Sequence, residues 1–203
     1  MNPNTQRRDM RYASVRSTQF STRADEGTQD IYIEGYFSVY DSPYVLWAGA
    51  EEIIKPGAFT ESIHDDVRAL TNHDTTLVLG RNTAGTLVLR DDPDKGLWGS
   101  IKINRDDGDA MNLYARVQRG DVDQCSFGFD IEKESLVDLG GGRYRWEIEK
   151  VKTLYEVSVC TFPAYKETSV SARKRDLEEI ERRRLDAWRE QTKNRLEAIK
   201  HGA

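Results

Sequence analysis

Along most of this chain apolar and polar residues alternate in short runs, the period of two expected of strands half-buried in a sheet. The runs cover Ile31–Tyr40, Thr76–Gly80, Thr86–Arg90, Leu97–Ile103, Cys125–Glu132, Tyr144–Lys150 and Thr153–Thr161. Turn residues separate them, most clearly Asp91-Asp-Pro-Asp-Lys-Gly96 and Gly140-Gly-Gly-Arg143. A further strand is expected near Tyr12 to Phe20. Two segments follow a helical period instead. Asp107 to Gln118 predicts a helix with Met111, Leu113, Tyr114 and Val117 available to pack. Residues 172 to 200 lack Pro and Gly, and place Leu177, Ile180, Leu185, Trp188, Leu196 and Ile199 in one broad stripe. About seven strands with a few helices predict a mixed, β-rich α+β fold, a small β-barrel surrounded by helices.

The pattern divides the chain into three. Residues 1–29 form a polar arm with scattered arginines, partly flexible; residues 30–171 carry the β-rich domain; residues 172–203 form a charged amphipathic helix. A length of 203 residues suits one domain with appendages. The helix stripe predicts docking on its own domain or pairing with a second copy. A polar helix on its own has no need of Trp188. The cluster Arg182-Arg-Arg184 has Glu178, Glu179 and Glu181 beside it and reads as a solvated face. A net charge of -5 argues against dedicated nucleic-acid binding. No apolar run approaches the roughly 18 residues of a membrane span, and Met1 to Arg11 lacks the apolar centre of a signal peptide. Two cysteines give no disulfide framework. The histidines and cysteines lack metal-ligand spacing, so neither metal nor cofactor is expected.

Three segments carry candidate chemistry. In Arg119-Gly-Asp-Val-Asp-Gln-Cys-Ser126-Phe-Gly-Phe-Asp130 a charged turn runs into an alternating strand. Cys125, Phe127, Phe129 and Ile131 share a core face, which leaves Ser126 on the opposite face beside Gly128, with open space around it. A small nucleophile on a rigid strand suits acyl transfer; it equally suits the polar side of an ordinary strand. A serine nucleophile needs a base. Of three histidines, His201 lies at the end of the chain, and His64 falls in the short polar helix Phe59-Thr-Glu-Ser-Ile-His-Asp-Asp66. His73 alone sits at a strand edge, in Arg68-Ala-Leu-Thr-Asn-His-Asp74. In Leu154-Tyr-Glu-Val-Ser-Val-Cys-Thr-Phe-Pro163, Glu156, Ser158 and Cys160 share one strand face. A carboxylate there either orients an imidazole or simply faces water.

Together these segments resemble the prohead maturation proteases of tailed bacteriophages, the HK97-type family, over roughly residues 30 to 170. Ile33-Glu-Gly-Tyr-Phe-Ser-Val-Tyr-Asp-Ser42 resembles the family's opening strand, and Glu52-Ile-Ile-Lys-Pro-Gly-Ala-Phe59 its turn before a helix. Asn72-His-Asp74 with Gly80-Arg81 resembles the histidine motif. Leu113 to Phe129 resembles the serine motif, and Tyr155 to Ala164 the last core strand. The resemblance implies a serine endopeptidase with a herpesvirus-protease-like fold. Such an enzyme cleaves the scaffolding segment of the major capsid protein, and itself, inside the assembling procapsid in the host cytoplasm. It further implies Ser126 as nucleophile, His73 as general base and Glu156 as the orienting carboxylate. The herpesvirus relatives use a second histidine at the third position; here His64 is the spare histidine, and its surface setting favours Glu156. Arg81 is a candidate for the oxyanion or substrate. Gln124-Cys125 departs from the commoner pattern, where small and apolar residues are usual. Two rivals stay open: a cysteine hydrolase using Cys125, and a non-enzymatic capsid-assembly scaffold or binding module that keeps the fold.

Overall fold

The computed structural model describes the backbone of residues 11–15, 20–162 and 167–201. Among these, eleven strands and two α-helices follow in order. The strands are β1 (Arg11–Val15), β2 (Ser21–Ala24), β3 (Ile31–Val39), β4 (Tyr44–Trp47), β5 (Ala50–Ile54), β6 (Arg68–Thr71) and β7 (Asp74–Arg81). β8 (Leu87–Asp92), β9 (Gly96–Ile103), β10 (Gln124–Gly140) and β11 (Arg143–Cys160) complete the set. The helices are α1 (Gly108–Arg119), between β9 and β10, and α2 (Glu167–His201), after β11. The chain divides into two compact units, residues 1–165 and 166–203. β1 and β2 are paired strands, so sheet structure reaches into the expected polar arm.

The strands form two sheets, and no closed barrel is found among the described residues. One sheet runs β2-β3-β9-β8; the other has the path β1-β10-β11-β5-β4, with β6 added to β11 and β7 to β6. The mixed, β-rich α+β expectation holds, and the barrel is corrected. Its place is taken by one long antiparallel hairpin, β10–β11, which changes partners along its length. Its turn end pairs β11 in parallel with β5, Tyr144↔Ala50 to Ile148↔Ile54. Its other end pairs β11 in parallel with β6, Glu156↔Arg68 to Val159↔Thr71. Register shifts between Gly128 and Phe129 and around Asp130 to Glu134 bend the ribbon between the two ends.

The core explains where the serine strand is held. Cys125, Phe127 and Phe129 are fully buried, as their alternation predicts. Phe127 meets Phe59 edge-on at 5.3 Å and Phe129 at 4.9 Å, and Phe59 stacks on Tyr40 at 6.2 Å. Each buried phenylalanine contributes up to about 3 kcal/mol by removal of apolar surface from water. Anchored on one side in this way, β10 presents Ser126 and Gly128 to the other side at a fixed height. Helix α1 starts where Asp107 caps it, accepting from the Asp109 and Ala110 N–H groups, and stops at Gly120. It buries Ala110, Leu113 and Val117 in the same core, with Met111 and Tyr114 packed at the margin. Among the described residues no helix is long and apolar enough to cross a membrane.

Candidate active site

The histidine is placed by a tight hairpin. Thr71 and Asp74 are cross-strand partners of β6 and β7, so only Asn72 and His73 make the turn. Both take positive φ, 52° and 62°, the backbone of a type I′ turn, which matches the twist of the flanking strands. Asparagine tolerates that region well; histidine there is less common and must be held. The ties run to β11. Asn72 N–H donates to the Val159 carbonyl at 3.0 Å, and Asn72 Oδ1 accepts from Thr161 N–H at 2.9 Å. His73 N–H donates to Ser158 Oγ at 3.1 Å. The turn is thereby pinned across the end of β11.

The carboxylate comes from β11 itself. Glu156 Oε1 lies 2.7 Å from His73 Nδ1, and both side chains are largely shielded, at 8% and 17% exposed. A carboxylate can only accept, so the proton between them sits on Nδ1 and Nε2 is left as the basic nitrogen. The other carboxylate oxygen, Oε2, accepts from the Ser158 hydroxyl at 2.5 Å. Shielding from water strengthens both bonds.

The serine comes from the neighbouring strand. In the β10–β11 register Ser126 stands opposite Ser158, and Gly128 opposite Glu156. Opposed residues of an antiparallel pair share a face with Cβ atoms about 5 Å apart. Ser126, Ser158 and Glu156 thus stand on one face, and the His73 turn is tied to that face. On its other edge Ser126 pairs with the position of Ser14 in β1. Ser126 is fully buried, which corrects the expectation of open space around it: both faces of β10 are covered at this point. A strand flanked by two others and packed on both sides has no exposed side.

A stretch that resembles a known sequence family runs from residue 18 to residue 183, and the family is described as caudovirus prohead serine protease. The chain belongs to the caudovirus prohead serine protease family. Among curated proteins it is 31% identical over 153 residues to the prohead protease of Enterobacteria phage HK97, covering 73% of this chain and 62% of that protein. The chain therefore spans under two thirds of that relative's length. Among solved structures it is similar to the capsid assembly protease of bacteriophage T4, at 15% identity and a TM-score of 0.46, covering 76% of this chain and 98% of that one. The prohead protease stretch includes His73, Ser126 and Glu156 together, and β1 lies outside it.

The remaining candidates fall elsewhere in the chain. His64 is exposed on a single 3-10 turn, Ser62–His64. The range of α2 ends at His201, whose side chain lies outside the described residues. Arg81 ends β7, at the opposite end of the β6–β7 hairpin from His73. It grips Asp66 through Nε and a terminal nitrogen, each at 2.6 Å, and its guanidinium holds that carboxyl down at about 2. Cys125 faces β3, where its thiol donates to the Tyr36 and Phe37 carbonyls, on the far side of β10 from Ser126. Cys160 Sγ is 4.0 Å from His73 Nε2. Burial, and then the charge of Glu156, pushes that thiol up to about 12, so it is neutral at ordinary pH. Among the described residues no group of three or more His, Cys, Asp or Glu side chains could hold a metal ion. Ser158 and Asn72 are the contributors that the motifs did not single out. Ser158 was marked by its place two residues after Glu156 on the same face.

Proposed function

We propose that this chain is a serine endopeptidase of procapsid maturation, which cleaves the scaffolding segment of the major capsid protein and also cleaves itself. The observation that carries the reading is the 2.7 Å bond from His73 Nδ1 to Glu156 Oε1, on the strand beside Ser126. In the reaction His73 Nε2 takes the proton of Ser126 Oγ as that oxygen bonds to the scissile carbonyl carbon. The carbonyl oxygen carries the negative charge of the tetrahedral intermediate. The C–N bond then breaks as Nε2 returns the proton to the leaving amine. Water, activated by the same nitrogen, releases the acyl group from Ser126. Glu156 keeps the ring in the tautomer with a free Nε2 and offsets the imidazolium charge. Arg81 stays outside this scheme, since Asp66 occupies its guanidinium.

A second reading, a capsid-assembly module without activity, is favoured by one observation, the complete burial of Ser126. A fluorophosphonate probe separates the two. Incubated with the chain in the presence of assembling capsid protein, it adds to Ser126 of the protease, and the tryptic peptide carries the adduct mass. His73→Ala leaves Ser126 unlabelled. Absence of any adduct in the wild-type chain supports the non-enzymatic module; an adduct on Cys125 or Cys160 supports a cysteine enzyme.

A further inference from the structure

We propose that Ser158 is a positioning residue of this site, a buried hydroxyl that fixes His73 and Glu156 to each other. The inference rests on the proposed use of His73 as base, and assigns a role to a residue that the reaction itself does not touch. A serine hydroxyl has one proton to give and two lone pairs to receive with. Ser158 gives its proton to Glu156 Oε2 at 2.5 Å and receives the His73 N–H at 3.1 Å. It therefore holds the carboxylate and the backbone of the histidine at once. The Glu156 carboxylate is tied at both oxygens, one to His73 Nδ1 and the other to Ser158. With both tied, the carboxylate plane cannot turn, and the ring that donates to it keeps one orientation. The backbone tie matters for a different reason. His73 sits at φ 62°, a conformation its side chain does not favour, so the turn needs an external hold to keep the ring aimed.

Position in the fold makes Ser158 suited to this and little else. It is fully buried and stands directly opposite Ser126 in the β10–β11 register. One hydroxyl thus lies next to all three members of the proposed site. The Ser158 hydroxyl donates to Glu156 Oε2, so it is committed as a donor there. Removing it leaves the carboxylate free to rotate and its second oxygen without this donor. Partners of this kind behind a catalytic or metal-bound histidine typically alter function roughly 10- to 100-fold.

The test uses the full-length chain with Ser158→Ala and Ser158→Thr. The first readout is the low-field proton resonance of a histidine Nδ1–H bonded to a carboxylate, recorded on protein with ¹⁵N-labelled histidine. The second is the rate of fluorophosphonate addition to Ser126 in the presence of capsid protein. Wild type and Ser158→Thr should keep the resonance. Ser158→Ala should lose it or move it to higher field, and label roughly 10- to 100-fold more slowly, both read well below the variant's melting temperature. An unchanged resonance and rate in Ser158→Ala overturns the proposal. So does an equal slowing in Ser158→Thr, which keeps the hydroxyl, since that is a packing role. If wild type itself fails to label, the protease reading falls, and the resonance still decides whether Ser158 holds the His73–Glu156 joint.

Discussion

Glu156 is the proposed third member of the site, and its substitution tests that assignment. Glu156→Gln keeps the length of the side chain and removes its charge, and lets an amide nitrogen face the ring. Turnover should fall by up to about four orders of magnitude, as in the related Ser-His-Asp constellation, with the melting temperature nearly unchanged. His64→Ala should leave activity within about twofold, because its ring is exposed on a separate turn. Activity in Glu156→Gln together with inactivity in His64→Ala would reverse the assignment. Cys160 gives a second prediction at this scale. Its folded thiol holds its proton to about 12, against 9.0 for an ordinary cysteine. The folded state therefore binds more protons than the unfolded one in that window. The thiol's contribution to stability is complete below pH 9 and is lost as pH rises towards 12. Cys160→Ala should lose less stability than wild type between pH 8 and 10.5, measured by urea unfolding. An equal loss in both proteins would contradict the assignment. The opposite facing of Cys125 and Ser126 was legible in the sequence, because strand alternation fixes faces. The burial of Ser126 was not legible, since alternation says which face a residue shares and not what lies against that face.

At the scale of elements, runs of middle length match the expected ranges, the shortest strands carry no expectation, and the two longest differ from it: β10 continues from the expected end at Glu132 to Gly140. β3, β9 and α1 lie within a residue or two of the expected ranges, because each combines a clear period with a defined stop. β4, β5 and β6 have four or five residues each, too few to display a period. β6 matters most, since it carries the chain into the His73 turn. β11 was expected as two strands split near Val151 and is one, because β-bulges absorb the break in alternation without ending the ladder. The turn between β8 and β9 closes on Gly96, at φ 145°, where an added Cβ would stand 2.0 Å from the Ser38 carbonyl oxygen of β3. That oxygen belongs to backbone within a paired strand and cannot move aside. Gly96→Ala should therefore cost about 4 kcal/mol or more in chemical denaturation, among the largest single-site losses. A cost below about 1 kcal/mol would mean that β3 and β9 approach less closely.

At the scale of the molecule, the sheets frame the proposed site, and the C-terminal helix forms a unit of its own. A barrel was inferred from strand number; two sheets result because β11 pairs with β5 at one end and β6 at the other, a connection no local pattern encodes. In α2, Leu185 and Trp188 are exposed, at 46% and 61%, while Leu196 and Ile199 lie outside the described side chains. If the chain processes itself, segments outside the sheets are the most accessible sites, since local opening there costs little. Wild type incubated with assembling capsid protein should shorten at an end by intact mass, while Ser126→Ala stays full length. Equal masses would count against self-processing alone. The most direct test of the central claim is co-expression with the major capsid protein and its scaffolding segment, followed by mass spectrometry of the capsid protein. Wild type should remove the scaffolding segment, and Ser126→Ala, folded and present at the same level, should leave it intact. Removal of the segment by the Ser126→Ala chain would contradict the account.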